Sequence, residues 1–157
     1  MKKYVLCCSL AAVLVIGSIT IFSGLRQQKE SQFIESTSQS AVFSFLELRT
    51  RIMQGETEID FSYHDAVCKF YALYNVVVMV ADARGSDCPY KAEMNSLYGN
   101  LLITDKIDVE SVDLIVLACQ AIANNESHSS ISERLLQAGN ALDDFRKADN
   151  QEGSAQH

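Results

Sequence analysis

The chain has 157 residues, room for one domain plus a short extra segment. With 7 Gly and 1 Pro it lacks the turns that a sandwich or barrel needs, so it points to helices with short connections. Residues 30–157 carry nine Lys/Arg against twenty Asp/Glu, a net of −11. That balance excludes a nucleic-acid binder, because phosphate contacts need Lys and Arg. It suits a soluble surface or a basic protein partner.

The first 25 residues read as a membrane segment. Lys2 and Lys3 precede an uncharged run from Tyr4 to Leu25, followed by Arg26. As a helix this run spans about 33 Å, close to the hydrocarbon thickness of a bilayer. It is longer than an ordinary signal-peptide core of roughly 7–15 residues. The cleavage points after Ser23 or Gly24 are poor, with Ile21 or Phe22 three residues before the cut. The favoured reading is therefore an uncleaved signal anchor, with a cleaved signal as the alternative. Either way the remainder is exported. Lys2 and Lys3 favour a cytoplasmic N-terminus. Cys7 and Cys8 do not read as lipoprotein cysteines, because no apolar segment fits upstream of them.

Residues 26–32 are expected to be a polar linker, and 33–149 a helical domain. Helix A should run from Phe33 to Met53, burying Ala41, Phe45, Leu48 and Ile52, and end at Gly55. Helix B should start at the box "SYHD" (Ser62, Asp65) and end at Gly85. Its apolar run, Phe70 to Ala81, is about 12 residues, which fits a core helix rather than a crossing. As the most apolar helix, B is expected at the centre. Helix C should be capped by Asp87, with Pro89 in its first turn, and reach Leu102. Asp108 should cap helix D, Val109 to Asn124. Ser130 and Glu133 should open helix E, which buries Ile131, Leu135, Ala138, Leu142 and Phe145. Residues 150–157 read as a disordered tail. The expected fold is all-α: an N-terminal membrane-spanning helix followed by a compact five-helix extracytoplasmic domain.

Three cysteines lie outside the membrane segment. An oxidising compartment permits one disulfide among them. Cys68 lies about 24 Å along helix B from its end, too far to reach Cys88. If C and D form a hairpin, Cys88 and Cys119 meet at its open end. The expected bridge is Cys88–Cys119, closing about 31 residues, with Cys68 a buried free thiol.

No catalytic or nucleotide-binding motif is present. His64 and Cys68 share a helix face but make only half a metal site. Glu56, Glu58 and Asp60 lack the glycine and closing Glu of a calcium loop. Asp143 and Asp144 read as a solvated face. The triplet Asn125-Glu126-Ser127 matches a glycosylation acceptor that chance alone often produces. Hence no metal, cofactor, small-molecule substrate or enzymatic activity is expected. The stronger signal is aromatic: Tyr63, Tyr71, Tyr74, Tyr90 and Tyr98 cluster in helices B and C, with Asn75 the one polar residue in the apolar run. Of these, Tyr71, Tyr74, Asn75, Tyr90 and Tyr98 are the expected interface. The function expected is a non-catalytic protein held in the inner membrane through residues 4–25, its C-terminal domain in the periplasm or outside. It would bind and neutralise a basic protein partner, as an inhibitor or immunity protein does. The alternative is an accessory subunit of a secretion, conjugation or pilus apparatus.

Overall fold

The computed structural model describes the backbone of residues 2–55, 60–104 and 106–154, and the side chains of 23–55, 61–104 and 106–151. Among them the protein is all-helical, with five helices and no strand. They are α1 (Lys2–Met53), α2 (Asp60–Ala83), α3 (Lys91–Leu102), α4 (Val109–Ala123) and α5 (His128–Ser154). Two units are distinct, Met1–Phe33 and Ile34–His157. In the first, residues 26–32 are helical rather than a break in the chain, and Arg26 pairs with Glu30 one turn on, at 2.8 Å. The side chains of the apolar run through residue 22, Cys7 and Cys8 included, lie outside the described residues, as do Glu56, Glu58 and His157.

The second unit is a bundle in which each helix packs on two others. The Ser44 hydroxyl of α1 donates to Asp65 of α2 (2.7 Å), and Tyr63 of α2 donates to the Leu101 carbonyl of α3 (2.7 Å). Asn100 of α3 reaches the Gly139 carbonyl of α5 (3.4 Å), and α5 packs along α4. From α4 the ring closes on α1, where Arg49 pairs with Asp113 (2.6 Å) and the buried Ser38 donates to the Cys119 carbonyl. The order around the bundle is thus α1, α2, α3, α5, α4. Its interior is filled by Phe45, Phe70, Leu73, Met94, Ile115 and Leu135. Ala41, Phe45 and Leu48 are fully enclosed, as their spacing requires, and Ile52 is half-buried. On α5, Ile131, Leu135, Ala138 and Leu142 are enclosed, with Phe145 half-buried.

The helix ends obey local chemistry. Gly85 adopts φ +69°, and the bonds Gly85 N–H to Asp82 and Ser86 N–H to Ala81 form a Schellman cap. Asn125 does the same for α4 at φ 52°, with Asn125 bonded to Ile122 and Glu126 to Ala121. Asp108 caps α4 by accepting from the Ser111 N–H at 3.0 Å. Two expected caps differ. Helix α3 begins two residues after Pro89, with Tyr90 at the cap position and no side-chain bond there, so Asp87 lies outside it. Helix α5 begins at His128, and its cap is Ser127, whose hydroxyl accepts from the Ser130 N–H, rather than Ser130.

Helix α2 is not the centre of the bundle. Eight of the fifteen residues of α4 are buried, against eight of the 23 in Phe61–Ala83. By length and composition Phe61–Ala83 is apolar enough to cross a membrane, but here it packs at the bundle edge between α1 and α3. Its inner face supplies Phe70, Leu73 and Val77 to the core. Its outer face stays bare.

Candidate functional site: the tyrosine face of α2 and α3

That bare face is the most distinctive surface of the domain. Phe61, Cys68, Ala72, Asn75 and Met79 succeed one another at steps of seven, four, three and four, the spacing of one helical stripe. All five are exposed, Phe61 at 86% and Met79 at 57%. Tyr71 and Tyr74 flank the stripe on the side toward α3. The Tyr71 ring, 44% exposed, stacks on Tyr98 of α3 with centroids 4.7 Å apart and planes 21° apart. Tyr74 lies 6.4 Å from Tyr71 at 25°, so half-buried Tyr74 and Tyr98 each stack on Tyr71 and the three rings make one ledge. Such stacks are worth about 0.5–1.5 kcal/mol beyond area burial, which helps hold the ledge in shape. Asn75 faces outward from it, its side-chain N–H bonded to the Tyr71 carbonyl at 3.0 Å. The polar exception in the apolar run is accordingly a surface group that needs no internal partner.

A groove of about 460 Å³ continues from this ledge, lined by Tyr74, Cys88, Pro89, Lys91, Ala92 and Asn95. Four of the five expected interface residues, Tyr71, Tyr74, Asn75 and Tyr98, therefore fall on one surface. Tyr90 does not. It is 9% exposed, tilts against His128 at 6.2 Å, and burial pushes its hydroxyl up to about 12. Phe61 and Met79 were not expected on this face, although the helical stripe through Cys68 and Asn75 contains them.

The expected Cys88–Cys119 bridge is absent: both are buried free thiols. The premise that failed is the hairpin. Helix α5 packs on both α3 and α4, whose backbones make no close approach to each other, and Cys88 lies in the turn before α3 rather than on it. Burial raises both thiols, Cys119 to about 12. Cys68 is exposed rather than buried, because its place on α2 is the outer stripe.

Elsewhere the surface offers less. His64 and Cys68 stand exposed on α2, and no three His, Cys, Asp or Glu side chains converge as a metal site among the described residues. A groove of about 600 Å³ between α1 and α4 is edged by Phe43, which is 72% exposed. A smaller polar groove between α3 and α5 includes Glu93, Asn140 and Asp143. The Lys147 ammonium, 2.6 Å away, and the Arg146 guanidinium hold the Asp143 carboxyl below its usual range, while Asp144 is exposed. Compared with protein-family models, with curated proteins and with solved structures, the chain gives no match.

Proposed function

We propose that this protein is a membrane-anchored, extracytoplasmic helical module that binds another protein through the outer face of α2 and the adjoining surface of α3. In this reading the run Tyr4–Leu25 is the anchor, and the partner is neutralised or inhibited by the contact. The observation that carries it is the stack of exposed Tyr71 with half-buried Tyr74 and Tyr98, beside exposed Phe61 and Met79. Tyrosine joins a large apolar area to a polar tip and loses little rotamer freedom, so it is favoured at interface centres. An aromatic stripe of this extent on one side of a small domain gains most when a partner covers it.

The test is co-purification of the full-length protein from its native envelope, solubilised in mild detergent. Wild type is expected to retain a stoichiometric protein partner. The double variant Tyr71→Ala with Tyr98→Ala is expected to lose it, by about a hundredfold in affinity if both rings act as hot spots. Retention of the same partner by the double variant would refute the assignment of this face.

A further inference from the structure

We infer that the groove between α1 and α4 receives a second copy of this chain, with Phe43 of each copy seated in the groove of the other. The inference goes beyond the protein-binding reading and does not use the tyrosine face. Its base is one patch that carries both a knob and a hole. Phe43 of α1 is 72% exposed and stands at the edge of a groove of about 600 Å³. Gln39 and Val42 of α1 and Gln120 and Asn124 of α4 wall that groove. Leu46 and Leu117 lie within one turn of these residues and are exposed too. A knob beside its own hole is self-complementary, which is what a two-fold contact between identical chains requires. The amides of Gln39, Gln120 and Asn124 each donate and accept, so each can pair with its own copy across the axis.

Charge selects the occupant. Residues 30–157 carry a net of −11, so two copies repel at long range and meet at least cost where neither brings an uncompensated carboxylate. Of the three grooves described above, this one alone has no charged residue in its lining. The groove between α3 and α5 holds Glu93 and Asp143, and the one beside Tyr74 holds Lys91. Around the α1–α4 groove, Asp113 is paired with Arg49, Glu47 with Arg51, and Glu35 accepts from the Gln39 amide. A partner chosen for its charge finds nothing to hold in this groove, whereas a second copy meets no like charge in it. The exposed side chains of the patch would bury on the order of 500 Å² per copy, about 1,000 Å² in all, at the threshold for a specific interface. In the anchor reading, confinement of both copies to one membrane raises their effective concentration and offsets that modest size. Pairing through α1 and α4 leaves α2 and α3 uncovered in both copies. The pair then presents two tyrosine ledges, and a partner with two matching sites gains avidity.

The experiment weighs the full-length protein in mild detergent by size-exclusion chromatography with multi-angle light scattering. Wild type is expected to run as two chains per particle. Phe43→Glu removes the knob and sets like charges across the axis. It is expected to run as one chain, with self-affinity reduced about thirtyfold or more. Phe43 is exposed, so a thermal melt of this variant should match wild type and show that the fold is kept. Gln120→Glu adds only a charge, on the α4 wall, and is expected to weaken pairing about tenfold. Tyr71→Ala and Leu136→Glu should leave two chains per particle. One chain per particle in wild type would overturn the inference. Two chains per particle in Phe43→Glu would also overturn it, by placing the contact elsewhere. So would a wild-type particle of one chain with a different protein that Phe43→Glu loses, which would assign the groove to that protein and leave the tyrosine-face reading intact.

Discussion

Replacing Phe70 by alanine is expected to destabilise the domain by about 3–5 kcal/mol. Phe70 is 0% exposed and belongs to the contiguous core shared by all five helices. Its removal loses the transfer free energy of the ring and leaves a cavity that close-packed neighbours only partly fill. A domain of this size has roughly 5–15 kcal/mol in total, so the change takes a large part of it. Urea unfolding of the full-length chain in mild detergent, followed by circular dichroism, measures it as a fall in midpoint at unchanged slope. Phe61→Ala is the internal control. The same change at a residue 86% exposed on the same helix should stay within about 0.5 kcal/mol. A Phe61 effect as large as that of Phe70 would mean that α2 turns its other face to the core.

The second large effect is chemical. Cys119 is 0% exposed, and burial raises its thiol to about 12. At pH 8 the thiolate fraction of such a group is about one in ten thousand, and the thiolate is the reactive species. In a variant with Cys7→Ser and Cys8→Ser, a maleimide should modify Cys68 readily and Cys119 at least about a thousandfold more slowly, until denaturant opens the bundle. Tryptic mass mapping reads the sites. A Cys119 that reacts as fast as Cys68 would contradict the enclosed core. The same group makes stability pH-dependent. Its folded value lies above the usual 9.0, so its stabilising contribution is complete below about 9 and is lost as the pH rises toward 12. Tyr90, also shifted upward by burial, acts in the same direction above its usual 10.0. Urea midpoints should accordingly decline with alkali from about pH 9.

Much of this architecture is written in local sequence. The stripes on α1 and α5, the Asp108 cap and the Gly85 terminator each follow from side chains within a few residues of one another. The misses arise where local patterns leave a choice that packing makes. Ser127, Ser129 and Ser130 are all competent caps within a single turn, and only the entry path of the chain selects Ser127. The apolar run of α2 reports composition and not enclosure, so it does not reveal that Met79 faces out while Val77 faces in. The Cys88–Cys119 pairing assumed that helices consecutive in the chain are neighbours. The packing of α5 on both α3 and α4 is a long-range event with no trace in either helix. For the site, helical spacing was sufficient to place Tyr71, Tyr74 and Asn75 together. It was not sufficient to remove Tyr90, which lies in the turn before α3, where spacing carries no facial information.

In the proposed role, the tyrosine face of α2 and α3 is covered by a protein partner. It is tested most directly by placing a photoreactive benzoyl-phenylalanine at Tyr71 in the full-length protein and irradiating native cells. The same residue at Leu136, exposed at 52% on α5, is the control. One discrete adduct is expected from position 71, identified by mass spectrometry as a single protein, and none from 136. No adduct at 71, or the same adducts from both positions, would contradict it.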